Sequence, residues 1–431
     1  MLVSPCHQLR TRLPLVSSVL DTIAGLEGIP IIVGGAIRDW IMGLPCDDID
    51  VEIFNIDSVE HLQFLLKPLG RLELVGRVFG VCRYRSPDGT VDFTMPRREH
   101  KIREGHSGFE VDLDPGLSFK EAALRRDFTM NAIGLDWLTN RVFDPYNGIA
   151  DIRAQRIRHV GSQFPEDPLR VLRVVQFAAR LNFTVDADTL ALCRTIPLGA
   201  LSSARILEEF TKLFSKSKSP SVGIALLEPL GVLAQWPELR HYHSSSELWG
   251  RGSAAVDQMA RQLKPGRSVG LMVAAWLYHS QFIPSHAPVA MTFLNRIMES
   301  KRQKNGILNL ISATKALVSV DKKMPDDSQL REASTVTQLR HVVALISALF
   351  PNNPQLVRYI HARSTELGIL DRPPEPLVSG KDFMALGIPE GVHLGEMLAD
   401  FYSAQLAGKI TSKAAALRIA HDLWFADQEE E

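Results

Sequence analysis

Short apolar or alternating runs dominate the first 150 residues: IPIIV, IDVEIF, GVCRYR, TVDFTM, AIGLDW and RVFDPY. Runs this short predict β-strands, and two helical stretches among them predict a small α/β or α+β sheet domain. From about residue 151 the apolar positions recur every three or four residues, in DPLRVLRVVQFAARL, ADTLALCRTI, SARILEEFTKLFS and SVGIALLEPLGVLAQW. That spacing predicts amphipathic helices continuing, with interruptions, to the C-terminus. Periodicity lapses at SKSKSPS (215–221), HYHSSS (241–246) and DRPPEP (371–376), which are read as domain or subdomain boundaries. No repeat of fixed period is present.

Composition adds limits rather than chemistry. A chain of 431 residues with 45% apolar residues is long enough for two or three packed cores. Its formal net charge of -1 excludes nucleic-acid binding through bulk positive charge, so any polyanion site is local. Cys6, Cys46, Cys82 and Cys193 are far apart and contain no Cys-x-x-Cys, which points away from a zinc ribbon or disulfide framework and toward buried thiols in a reducing compartment. Without an apolar run of membrane-spanning length or a secretory leader pattern, the expected location is the cytoplasm. Walker-type Gly-x-x-x-x-Gly-Lys-Ser/Thr is absent, which removes the P-loop NTPase class.

Five local patterns carry candidate chemistry. In DDIDVEIF, Asp48 and Asp50 lie two apart on a strand, so both carboxylates leave one face about 7 Å apart and could converge on divalent cations; a solvated strand start reads the same way. Upstream, Gly34 and Gly35 follow an apolar strand and open a helix bearing Arg38, so backbone N–H groups and a guanidinium could cradle a phosphate; a tight turn with a surface arginine is the alternative. Asp92 in TVDFTMPR alternates with Val91 and Phe93, which lets it join the first pair across a sheet, as nucleotidyl transfer on two metal ions requires. In RRDFTMNA, a guanidinium of Arg125 or Arg126 could hold a triphosphate while Asp127 and Asn131 meet ribose hydroxyls, unless the segment is simply a capped end with an Arg-Asp pair. Finally, PEDPLRVLRVVQFAARL sets Asp167, Arg170 and Arg173 beside an apolar helical stripe, where they could present donors and acceptors to a base edge, although Asp167 before Pro168 is also what a helix N-cap looks like.

In this order, VGGAIRD, DDID, VDFTMPRREHKIREGHSGFE, RRDFTMNAIGLD, DPYNGIADI and EDPLRVLRVVQFAARL resemble the motifs of the class II tRNA nucleotidyltransferases, or CCA-adding enzymes, and the related bacterial poly(A) polymerases. The resemblance covers about residues 31–181. It implies a polymerase β-like nucleotidyltransferase head of mixed α/β (α+β) class over 1–150. All-α neck (151–220), body (221–370) and tail (371–431) domains follow, the neck reading the base and the tail touching RNA. It implies addition of C and A residues to a tRNA 3′ end from CTP and ATP with Mg²⁺, and leaves open A-only, CC-only or poly(A) addition. By the same resemblance Asp48 and Asp50 bind two Mg²⁺ ions and Asp92 is the third carboxylate. Gly34, Gly35, Arg38 and Arg126 hold the nucleotide's phosphates, Asp127 and Asn131 its ribose, and Asp167, Arg170 and Arg173 its base. Arg97 to Gly108 matches the family's flexible loop. In the helical half, His279-Ser280 stands where some relatives carry a metal-binding His-Asp pair, which implies a degenerate HD-like body.

Overall fold

The computed structural model describes residues 5–26, 28–46, 49–56, 58–67, 71–75, 81–101, 109–263, 268–284, 288–318 and 323–429. The chain forms two compact units, Met1–Leu213 with Val222–Pro237, and Phe214–Ser221 with Glu238–Glu431.

The first unit is organised by a seven-stranded sheet. Its strands are β1 (Ile29–Val33), β2 (Ile49–Phe54), β3 (Arg71–Val75), β4 (Val81–Ser86) and β5 (Gly89–Thr94). After a separate hairpin of β6 (Arg97–Lys101) and β7 (Phe109–Leu113) come β8 (Gly134–Asp136) and β9 (Val142–Phe143). Across the sheet the order is β3-β4-β5-β2-β1-β8-β9, with β2 and β5 parallel and their neighbours antiparallel.

Cross-strand partners share a face, so register decides which side chains meet. Val33 pairs with Asp50, Ile31 with Glu52 and Asp50 with Asp92, which puts Ile31, Val33, Asp50, Glu52 and Asp92 on one face. The Phe119–Leu124 helix covers the apolar half of that face, where Phe119, Ala122 and Ala123 pack with Ile31, Val33 and Phe54. Its N-terminus is closed by a reciprocal capping box between Ser118 and Glu121. Gly134 on β8 is what lets Phe119 approach, since a Cβ there would sit 2.5 Å from the ring. The Pro14–Gly25 helix, with Leu20 and Ile23 fully buried, packs against β1 and β5.

Among the described residues five strands lie outside the sequence expectation, two of them the short parallel pair Arg156–Ile157 and Thr184–Val185 in the part read as helical. RLELV and FEVDL do carry alternating apolar positions, which the sequence reading passes over, whereas RREHK has none and gains its conformation from cross-strand pairing. RREHK lies inside the Arg97 to Gly108 segment expected to be a flexible loop, and it is a strand paired with FEVDL; residues 102–108 of that segment lie outside the described residues. The predicted break at 241–246 is also smaller than expected. Pro237–His243 is helical and Ser246–Gln262 starts at once, its N-terminus capped by Ser245.

The second unit is helical. The Val269–Leu277 helix is apolar all round and buried along Leu271 to Leu277, the pattern of a central helix in a bundle. Toward the C-terminus Gly380–Met384, Val392–Leu406 and Lys413–Glu429 enclose a small core of their own around Phe383, Ile388, Phe401 and Ala420. Among the described residues no helix is long and apolar enough to cross a membrane.

Candidate active site

Strand β2 supplies a row of acids on one face. Ile49, Val51 and Ile53 are buried on the other, leaving Asp50 exposed and Glu52 beneath the neighbouring helix end. Asp50 lies directly opposite Asp92 in the parallel β2/β5 pair, where adjacent backbones run about 4.8 Å apart. Asp48 lies outside the described residues. On the far side of Asp92, its partner on β4 is Arg83, whose Nε and Nη2 donate to the two Asp92 oxygens at 2.7 and 2.6 Å. One line across three strands thus reads plus, minus, minus. Each Asp92 oxygen accepts one bond in this clamp, and a carboxylate offers about four lone-pair sites, so capacity remains.

Glu52 has no solvent exposure. Arg125 donates to one of its oxygens at 2.7 Å and Arg126 to the other at 3.3 Å. Burial alone would raise this carboxyl's pKa, but the two guanidinium charges outweigh it and hold the pKa below the usual range. Arg126 also reaches the Asn131 carbonyl at 3.4 Å.

Gly34 closes this cluster from the β1 side. Its φ of 71° and ψ of -132° suit glycine, and a Cβ there would lie 3.2 Å from Arg126 Nη1 and 3.7 Å from Asp50 Oδ2. Gly35 then opens the Gly35–Ile41 helix. Gly34, Asp50, Asp92 and Arg126 are therefore neighbours at one edge of the covered face.

A second group of the expected residues is interior. Arg38 is 3% exposed, donates from Nε to Asp39 at 2.8 Å and from Nη1 to Asn131 at 2.6 Å, and lies 5.0 Å over the Phe177 ring. Burial pulls its pKa below the ordinary guanidinium value, with Asp39 opposing the shift. Asn131 donates to Asp127 Oδ1 at 2.9 Å, as does the Phe128 amide at 2.8 Å, and Arg173 Nε donates to Asp127 Oδ2 at 2.7 Å. Desolvation would raise the Asp127 pKa, yet Arg173 and these hydrogen bonds bring it below the usual carboxylate range. The structure thus joins Arg38, Asn131, Asp127 and Arg173 in one chain of charge-assisted bonds that ties the sheet to the Leu169–Leu181 helix.

The remaining pair sits at that helix's start. Asp167 accepts from the Leu169 amide at 3.1 Å and from Arg205 at 2.9 Å, so the capping geometry is present. Arg170 donates to the backbone carbonyls of Gln163 and Arg125, which links it to the two arginines on Glu52. Sequence reasoning passed over Glu52, Arg83, Asp39 and Arg205. Glu52 had a signal, because it continues the alternation of Asp48 and Asp50; Arg83, Asp39 and Arg205 had none beyond being charged.

In the second unit His279 is 5% exposed, and burial, with Arg251 adding, pushes its pKa down to about 4. Among the described residues, which exclude Asp48, no group of three His, Cys, Asp or Glu side chains is placed to hold a metal ion.

Comparison with known proteins converges on this region. Residues 31–158 match the poly A polymerase head domain. The chain is 34% identical over 252 residues to a multifunctional CCA protein of Xanthomonas campestris pv. campestris, covering 54% of this chain and 59% of that one. It is 37% identical over 208 residues to the multifunctional CCA protein of Nitrosospira multiformis, covering 47% and 48%. The chain thus spans less than two thirds of the length of these relatives. Among solved structures, the Bacillus stearothermophilus CCA-adding enzyme in complex with CTP superposes with a TM-score of 0.71 over 100% of both chains at 21% identity. The Thermotoga maritima CCA-adding enzyme complexed with tRNA gives 0.61 over 97% and 95% at 18% identity. Residues 31–158 thus match the poly A polymerase head domain, on a chain whose fold is similar to that of solved CCA-adding enzymes.

Proposed function

We propose that the chain is a template-independent RNA nucleotidyltransferase that adds C and A residues to the 3′ end of tRNA from CTP and ATP, releasing pyrophosphate, in the cytoplasm. The observation that carries this reading is the in-register Asp50–Asp92 pair with Arg126 and Gly34 beside it, within a poly A polymerase head.

The donor set suits a hard divalent cation, since carboxylate oxygens on adjacent strands are the ligands Mg²⁺ prefers. Asp50, with Asp48 and Asp92, would hold it. When bound, the metal supplies the charge that makes the RNA 3′-hydroxyl a better nucleophile and stabilises the leaving pyrophosphate. Arg126 and the backbone at Gly34 and Gly35 hold the phosphates, a guanidinium fork being matched to phosphate oxygens. Arg38, being buried, serves this site by fixing Asn131. Asp127 and Asn131, interior like Arg38, support the ribose subsite from beneath, and Asp167, Arg170 and Arg173 select the base from a rigid helix. Residues 1–150 then form the head, 151–220 the neck, 221–370 a degenerate HD-like body and 371–431 a tail that contacts RNA.

The test uses purified protein, Mg²⁺, and tRNAs ending at the discriminator base, at C and at CC, together with an unrelated RNA. Each is given CTP, ATP or both. Stepwise completion of CCA on the tRNAs alone is the expected result. Long A tails on the unrelated RNA would convert the reading to a poly(A) polymerase, addition restricted to one nucleotide would narrow it, and no extension of any substrate by folded protein would refute it.

A further inference from the structure

The nucleotide site proposed above needs an arginine held still, and arginine is a poor candidate to hold itself. Its long side chain loses rotamer freedom each time a phosphate binds unless another group fixes the fork beforehand. Arg126 is fixed by Glu52. That carboxylate has no solvent exposure, remains ionised, and gives one oxygen to Arg125 and the other to Arg126.

Two features make this more than a buried ion pair. One buried carboxylate holds both arginines, one on each oxygen, so a single group sets the position of the two forks. The Arg126 side chain is 16% exposed, and its Nη1 lies 3.2 Å from where a Cβ of Gly34 would stand, with Asp50 Oδ2 on the same side.

Strand geometry adds the second feature. Asp50 and Glu52 are two apart on β2, so their side chains leave the same face about 7 Å apart. One rigid strand therefore sets both the carboxylate that faces the reacting end of the nucleotide and the anchor of the arginine that faces its phosphates. We infer that Glu52 is a positioning residue of the nucleotide site, holding Arg126 at a fixed distance from Asp50 so that the triphosphate is bound by a preorganised guanidinium.

The inference rests on the proposed nucleotidyl transfer, and its test separates the two. In steady-state addition with tRNA saturating, Glu52→Gln is expected to raise the KM for CTP and ATP about tenfold with kcat within about threefold, the pattern of lost ground-state binding. Glu52→Asp keeps the charge but shortens the reach, and gives a smaller rise in the same direction. Because Glu52 acts through Arg126, the double variant Glu52→Gln/Arg126→Ala should bind nucleotide no more weakly than Arg126→Ala alone, whereas a purely structural carboxylate would add its own loss. Calorimetric CTP binding reports the same ordering without turnover, so it decides the matter even for protein that adds nothing to tRNA. If Glu52→Gln fails to fold, Glu52→Asp is the deciding variant. Unchanged nucleotide affinity in folded Glu52→Gln or Glu52→Asp, or additive losses in the double variant, would overturn the inference.

Discussion

Replacing Asp127 by Asn changes one atom and removes one charge, yet the surroundings leave the amide nowhere to fit. All three groups that touch the carboxylate are donors: the Phe128 amide and Asn131 Nδ2 on one oxygen, Arg173 Nε on the other. Whichever way the new amide turns, its NH₂ faces a donor. The loss is a charge-assisted hydrogen bond, about 2 kcal/mol, plus a buried donor without an acceptor, about 1 to 2 kcal/mol. Glu209 lies 3.9 Å from Arg173 Nη1 and offsets part of the arginine's unpaired charge. We expect Asp127→Asn to destabilise the first unit by about 3 kcal/mol, a large share of the roughly 5–15 kcal/mol that holds a typical domain. Adding Arg173→Met removes the opposed donor, so the double variant should lose about 1 kcal/mol less than the sum of the single losses.

The assay is urea unfolding read by circular dichroism together with amide exchange around residues 127–136, because a chain of two units need not unfold in one step. The pH dependence has a definite sign. The folded Asp127 pKa lies below its ordinary value, so the charge contributes stability above the unfolded carboxylate pKa, about 3.9, and loses it as pH falls through the folded pKa. The gap between wild type and Asp127→Asn should therefore be flat from neutrality to about pH 5 and shrink below about pH 4. A single variant within about 0.5 kcal/mol of wild type at pH 7, or additive losses in the cycle, would refute the reasoning.

Two further outcomes follow from the same geometry. Gly34→Ala places a Cβ at positive φ and against Arg126, so it should cost about 1–3 kcal/mol in urea unfolding and raise nucleotide KM; a wild-type midpoint and KM would show that neither strain nor contact matters. Burial pushes the Cys82 thiol up to about 11, with Glu60 adding, and Cys193 up to about 12, whereas Cys46 is partly exposed. At pH 8 only about one Cys82 in a thousand is thiolate, so iodoacetamide should label Cys46 first in mass-spectrometric mapping, and equal labelling of all three would contradict the burial.

The expectation of four buried thiols holds for Cys6, Cys82 and Cys193 and fails at Cys46, which sits in the turn after the Gly35–Ile41 helix rather than in an element. Polar composition misled in the same way at HYHSSS, where helix-terminal capping by Ser245 replaces the expected linker. Gly252, inside the Ser246–Gln262 helix, is needed because a Cβ there would meet the Tyr242 hydroxyl at 2.2 Å.

The sequence by itself determined where the sheet gives way to helices, because the period of burial changes from two to between three and four and each period fits one backbone. It also determined that Asp50 and Glu52 leave β2 on one face, since side chains alternate along any strand. Partners across the sheet are another matter. That Asp92 meets Asp50 on one side and Arg83 on the other follows from strand order and register, which local patterns do not encode. Burial was likewise decided only by packing. Arg38 and Arg126 look alike in the chain, but the first is enclosed between Asp39, Asn131 and Phe177 while the second reaches the edge beside Gly34. The physical reason is that a charged side chain goes inside only where tertiary contacts supply its counter-charge, and those counter-charges, Asp39 apart, come from residues distant in sequence.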